Sequence, residues 1–432
     1  MNPSVKVSVI IPTLNAAAFV REAINSVCRQ NIKAIEILCI DAGSTDGTVD
    51  IIETLMGLDH RIKLLRSAKK SYGYQMNMGI DHARGEYIGI VEADDYVPED
   101  MYRDLYVISK EKSLDIIKSD FYRFTGVGDD IVRIYFSLTD RSDLYRRVFE
   151  PAKEQGSFLT TNNTWCGIYR RDFLMQHNIR HNESPGASFQ DNGFFFQTLM
   201  YAKRVYLLNK PYYMNRRDNP GSSVFDRKKT YCICDEYRFI YDRLHEESLF
   251  SKYQEVYAIR LFMEYLGNVS RISSGVKREF IRHFANDFHK LKKKGELDIS
   301  TFDEYKAGIL KEIMTDPDGY WDKHIRPFDE VYDEAESFDR IIIYGAASIG
   351  HQAMYTLLSR GKSSNIVCFA VTKPRPGIDN VHGYRIKAID TLSAYKEQAA
   401  LIIAAKIRFQ SEMKETAERL GFKHILVVPC EE

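Results

Sequence analysis

The chain reads as an α/β protein with two sheet-forming segments joined by a helical stretch. Three observations lead there. Residues 5 to about 120 alternate short apolar runs with amphipathic stretches, the signature of βαβ units and a mainly parallel sheet. Residues 225 to about 330 are charged, with Tyr257, Leu261, Phe262, Tyr265 and Leu266 at helical spacing. From Phe338 onward, the strand-and-helix alternation resumes. Domains are therefore expected at 1–224, 225–334 (a helical bridge) and 335–432.

In order, Val7 to Ile11 reads as a first strand and Phe19 to Gln30 as its crossover helix. Ile35 to Ile40 is a second strand, and Thr48 to Met56 a helix led by the capping types Ser44, Thr45 and Asp46. Ile62 to Leu65, Tyr74 to Ala83, Tyr87 to Val91, Met101 to Lys110 and Leu114 to Lys118 continue the alternation. Residues 121–220 are irregular and rich in aromatics, for most of which core packing is the plain reading. The last segment offers strands at Ile341 to Tyr344, Ile366 to Val371, Leu401 to Ala405 and Ile425 to Val428, a small Rossmann-like domain.

At 432 residues the chain is too long for one ordinary core. Its 60 basic and 60 acidic residues cancel, which argues against a nucleic-acid or membrane-surface polyelectrolyte. The run Lys290 to Lys294 reads as a solvated helix face. Seven scattered cysteines with no Cys-x-x-Cys pair suggest reduced thiols. Val5 to Ile11 is too short for a signal peptide, and no apolar run approaches the ~20 residues that span a bilayer. A cytoplasmic protein is expected, docking at most peripherally at the inner face of the plasma membrane.

The chemistry concentrates where the strand Tyr87 to Val91 runs into Glu92, Ala93, Asp94 and Asp95. Packed carboxylates repel and are costly to desolvate, so strands avoid them. At the carboxyl end of a buried strand they suggest a hard cation, Mn²⁺ or Mg²⁺, held together with substrate phosphates. A solvated acidic turn is the plain alternative. Pro12, Thr13 and Asn15 end the first strand and Asp41 the second, so three polar clusters share one sheet edge.

This combination resembles the family 2 glycosyltransferases, inverting enzymes of the GT-A fold, across residues 5 to about 220. The resemblance implies a nucleotide-diphosphate sugar as donor and a glycan or lipid-linked glycan as acceptor. Asp41 matches the residue that bonds the donor base, and Pro12, Thr13 and Asn15 the nucleotide-contacting turn. Glu92, Ala93, Asp94 and Asp95 match the DxD-type motif, with Glu in place of the usual first Asp. Asp94 and Asp95 are then the metal-site residues. Asp191, in Phe189-Gln190-Asp191-Asn192, matches the general base, although Gln190 replaces the usual Glu. An Asp at a helix N-terminus also has a structural use, facing free N–H groups. Trp165 matches an acceptor-side aromatic, able to stack on a sugar or fill the core. Arg216 or Arg217 matches the basic tail that pairs with diphosphate oxygens. Met76 stands where many relatives carry Arg.

In the last segment, Gly345 to Gly350 forms a weak dinucleotide fingerprint. Ala347 replaces the middle glycine, and no acidic residue closes the strand ending at Val371. An NAD-dependent sugar oxidoreductase and a non-catalytic nucleotide-sugar-binding scaffold, with or without homo-oligomer formation, are the alternatives.

Overall fold

The computed structural model describes residues 5–126, 131–219, 221, 229–377, 379–381 and 383–429. The chain divides into two compact units, Met1–Asn219 with Cys232–Leu261, and Pro220–Tyr231 with Phe262–Glu432. The boundary expected at 224/225 lies outside the described residues, as does Cys430. The six other cysteines are free thiols. Among the described residues, no helix is long and apolar enough to cross a membrane.

The first unit is built on one sheet. Its opening elements are β1 (Val7–Thr13), α1 (Val20–Cys28), β2 (Ile35–Asp41), α2 (Thr48–Met56) and β3 (Ile62–Arg66). Then come α3 (Tyr72–His82), β4 (Tyr87–Ile90), α4 (Met101–Glu111) and β5 (Ile116–Thr125). All seven positions of β1 and of β2 are buried, as parallel strands covered on both faces must be. Helix α1 turns Val20, Ala23, Ile24 and Val27 inward, the spacing of one helical face.

Beyond the parallel strands expected in the first 120 residues, the sheet is mixed. After β5 follow β6 (Val132–Phe136), β7 (Val148–Phe149), β8 (Gly167–Arg170), α5 (Arg171–Gln176), α6 (Gln190–Tyr201) and β9 (Val205–Arg216). The order is β3-β2-β1-β4-β8-β5-β9-β7, with β6 on β5. Strand β8 runs antiparallel to both β4 and β5, while β9 is parallel to β5. Helix α7 (Cys232–Glu246) and the start of α8 (Phe250–Arg271) complete the unit.

The second unit holds α9 (Ser274–Lys294), α10 (Glu304–Thr315), α11 (Pro317–Tyr320) and α12 (Arg326–Ala335). Its sheet elements are β10 (Ile341–Tyr344), α13 (Ser348–Ser359), β11 (Ile366–Val371), β12 (Asn380–Val381), β13 (Tyr384–Ala388), β14 (Ala400–Ile403), α14 (Ile407–Arg419) and β15 (His424–Val427). The strand order is β12-β13-β11-β10-β14-β15. Buried Asp329 on α12 joins Lys277 of α9 and Arg360 at the end of α13, each at 2.5 Å.

At the amino ends of the strands in the first unit, Glu36 clamps three elements. It accepts from Ser8 Oγ at 2.6 Å, Lys63 Nζ at 2.7 Å and the Arg84 backbone N–H at 2.8 Å. Burial pushes this carboxyl up, but the bonds from Lys63, Ser8 and Arg84 together outweigh it and hold the pKa at about 2. A depressed carboxyl stabilises above its unfolded pKa and loses that contribution as pH falls through the folded one. Glu36→Gln should therefore cost about 2 kcal/mol at pH 7. In urea denaturation from pH 7 down to pH 3, the gap to wild type should narrow below about pH 4.5.

Candidate functional site

Because β1, β2 and β4 are parallel, their carboxyl ends open on one edge. Pairing of β1 with β4 stops at Ile10↔Ile90. The Ile10 carbonyl accepts from Val91, and Pro12, two residues on, has no N–H to offer β4. The sheet parts there, and Pro12 itself is buried. Asp41 is buried too: its carboxylate accepts from the N–H groups of Gly43 at 2.9 Å and Ser44 at 3.0 Å, and from the Thr13 and Ser44 hydroxyls. Asn15, exposed at φ 51°, accepts from the Thr45 N–H and donates its own N–H to Ser44 Oγ. The β2–α2 loop is thus laced to the end of β1. Asp46 binds the Thr48 N–H, and Ser44 serves the Asp41 turn rather than the helix.

The acidic turn follows β4. The Glu92 N–H donates to the Tyr213 hydroxyl at 2.9 Å, and the Asp95 N–H donates to the Glu92 carbonyl. Asp95, expected to share a metal ion with Asp94, is instead enclosed at 1% exposure. Its oxygens accept from the Arg216 N–H at 2.6 Å and Asn215 Nδ2 at 3.1 Å. Burial, then the neighbouring Asp94, pushes its pKa well up. Glu92 accepts from the Tyr72 hydroxyl at 2.7 Å. Burial, aided by Asp94 and Asp191 and opposed by Tyr72, raises its carboxyl to about 8. Ala93 and Asp94 are half-buried, and Asp94 Oδ2 accepts from Asn219 at 2.7 Å.

The two arginines have different surroundings. Arg216 is sandwiched between the Phe19 and Phe124 rings and bonded to the Asp94 carbonyl, Glu22 and Asp218. Arg217 is half-buried with its charge facing Asp95 and Asp94. Trp165 stacks on Tyr213, 4.2 Å between centroids, and meets Phe121 edge-on, so one face supports the acidic turn.

The Asp191 segment reaches the same edge through a strap. The Tyr72 N–H donates to the Gly186 carbonyl and the Gly186 N–H to that of Lys70, pairing the start of α3 with residues 184–188. A Cβ at Gly73 would stand 1.8 Å from the Asn182 carbonyl, so only glycine permits this approach. Gln190, at the family's Glu position, accepts from the Ser188 N–H and donates to Ser184 Oγ and the Gly186 carbonyl. Phe189 takes the left-handed conformation at φ 64°, a strained turn two residues before Asp191. Asp191 is half-buried in the first turn of α6. Glu236 on α7 accepts from the Gly193 N–H at 2.8 Å and Asn182 Nδ2 at 3.0 Å, fixing that helix start.

These residues fit a divalent ion in one way. Among the described residues, no three of Glu92, Asp94, Asp95 and Asp191 bring ligand oxygens within 4.8 Å of one another. Asp95 is committed to its backbone partners, which leaves Asp94. A single carboxylate completed by substrate phosphates and water is the habit of Mg²⁺. The sequence reading missed Tyr72, Tyr213, Gln190's strap role and Glu236. All act across 20 or more residues of chain, or within a motif read only for its acid.

The family model described as Glycosyl transferase family 2 matches residues 8–177. That match spans less than half of the chain. The chain is 30% identical over 217 residues to the uncharacterized glycosyltransferase EpsJ of Bacillus subtilis, covering 50% of this chain and 62% of that one. It is 28% identical over 217 residues to glycosyltransferase GlyG of Streptococcus pneumoniae, covering 49% of this chain and 70% of that one. The solved structure of S. aureus TarS 1–349 in complex with UDP-GlcNAc matches with a TM-score of 0.57 at 19% identity, covering 76% of this chain and 92% of that one. The fold is thus GT-A, with a second sheet domain.

Replacing Arg216 with Met should lower stability by about 2 kcal/mol in denaturant titration, since several bonds of a buried charge are lost. Arg217→Met should leave stability within about 0.5 kcal/mol.

Proposed function

We propose that this protein is a metal-dependent inverting glycosyltransferase. It moves a sugar from a nucleoside-diphosphate donor, UDP-linked in the simplest case, to a hydroxyl of a glycan or lipid-linked glycan. The observation that carries the reading is the junction at Tyr72. Its hydroxyl bonds Glu92 of the acidic turn, its backbone holds the strap before α6, and its ring faces the charge of Asp191. The acidic turn and a half-buried carboxyl are thereby joined at the sheet edge that also carries the Asp41 turn. The match of residues 8–177 to the Glycosyl transferase family 2 model supports the same chemistry.

In this reading the Asp41 turn and Asn15 receive the nucleoside, and Arg217 faces the diphosphate. Asp94 would hold Mn²⁺ or Mg²⁺, which when bound offsets the charge of the departing diphosphate. Asp191 accepts the acceptor's hydroxyl proton while that oxygen bonds to the anomeric carbon and the bond to the diphosphate breaks. Attack opposite the leaving group inverts the anomeric centre. Tyr213 and Trp165 keep the turn rigid, so the two carboxyl groups stay in register. The enzyme would work in the cytoplasm on surface-glycan precursors presented at the inner face of the membrane.

A panel of nucleotide sugars, headed by UDP-GlcNAc because TarS binds it, tests the reading through release of nucleoside diphosphate. One donor should turn over with Mn²⁺ or Mg²⁺. Asp94→Ala should abolish the metal-dependent turnover. Asp191→Asn should lower the rate about 10²- to 10⁴-fold with UDP affinity kept. Absence of both turnover and binding across the panel would refute it.

A further inference from the structure

Lys118 stands on β5 in register with Gly167 of β8, at only 4% exposure, where an ammonium group is costly to place. Its Nζ donates to the Asn163 carbonyl and lies 5.1 Å from the centre of the Phe195 ring. Neither partner carries a formal negative charge. Phe195 follows Asp191 by one helical turn, so the ring and the base position share a face of α6. The loop that holds Nζ is tied to the same helix, because Asn162 donates to Asn192 Oδ1 at 2.7 Å.

The groups facing Lys118 are the Cys166 thiol, Asp191 and Arg260. Burial pushes the thiol up to about 11, so it is neutral. Arg260, 5.3 Å over the same Phe195 ring, repels Lys118. Asp191 is the remaining anion. Seen from Asp191, the facing groups are Tyr72 on α3, Glu92 after β4, Lys118 on β5, Tyr169 on β8 and Glu236 on α7. Burial raises both tyrosines well above their ordinary range and Glu236 to about 8, so these three are largely neutral near pH 7. Among these described groups, Lys118 carries the positive charge.

We propose that Lys118 is a positioning residue for the base, a buried counter-charge behind α6 that keeps the Asp191 carboxyl ionised. The inference rests on the reading of Asp191 as the proton acceptor. It extends that reading to the pH range in which the base works. Burial works against the ammonium and Asp191 supports it, so each charge sustains the other.

Lys118→Met keeps the length and removes the charge, and Lys118→Arg keeps the charge. Both are compared by the pH dependence of UDP-GlcNAc and UDP-galactose hydrolysis with Mn²⁺, after circular dichroism confirms folding. Lys118→Gln replaces the Met variant if that one does not fold. The acid limb should move up by about one pH unit in Lys118→Met. Activity should recover at high pH, Lys118→Arg should restore the profile, and UDP affinity should hold within about twofold. A uniform loss at every pH, or an unmoved profile, overturns the proposal. If wild type hydrolyses neither donor, the assay bears on the base reading rather than on Lys118. The infrared carboxylate band of Asp191, isolated by difference from Asp191→Asn, then decides. Its midpoint should be about one unit higher in the Lys118→Met background, and coincident midpoints overturn the proposal.

Discussion

The site depends on one buried hydrogen bond, from the Arg216 N–H to the Asp95 carboxylate at 2.6 Å. It fastens the turn after β4 to the end of β9, two segments more than a hundred residues apart. A carboxyl at 1% exposure is tolerated only with donors on its oxygens, and the backbone of β9 with the Asn215 amide supplies them. With Asp95 fixed, Tyr213 can receive the Glu92 N–H, and Arg216 can pass beneath the turn to the Asp94 carbonyl. Asp94, like Glu92, is then only partly enclosed. An acidic run that looks like three equivalent ligands divides into an anchor, a carboxyl bonded to Tyr72, and a carboxyl that accepts from Asn219.

The same residue type takes opposite electrostatic characters in one sheet. Glu36 and Glu92 are both penalised by burial, yet one is held at about 2 and the other raised to about 8. The difference is the partner. Glu36 receives Lys63 and Arg84, whereas Glu92 receives a neutral tyrosine hydroxyl and faces Asp94 and Asp191. Environments that push carboxyl groups apart mark working edges of proteins, and the cationic clamp marks the structural end of these strands.

The parallel half of the fold was legible because strands buried on both faces are written as continuous apolar runs, as in Val7–Thr13 and Ile35–Asp41. The antiparallel half was not. Strand β9 carries Asn209, Lys210 and Pro211 in its middle, and β5 shifts register between Ser119 and Phe121, so neither keeps a period of two. In the site, the acids Asp41, Asp94 and Asp191 stood out by their place after strands or within a motif. Their assignment to individual tasks did not, because it is decided by Tyr72, Tyr213 and Glu236, which approach only in three dimensions. Lys118 gave a faint signal: a lysine directly after the apolar pair Ile116 and Ile117 of β5.

The central claim is that one carboxyl group deprotonates an acceptor while a nucleoside diphosphate leaves from the opposite side. The anomeric configuration of the first-formed sugar product, followed by proton NMR before mutarotation, tests this most directly. An α-linked donor should give a β product at once. An α product would mean retention, and would contradict the role given to Asp191.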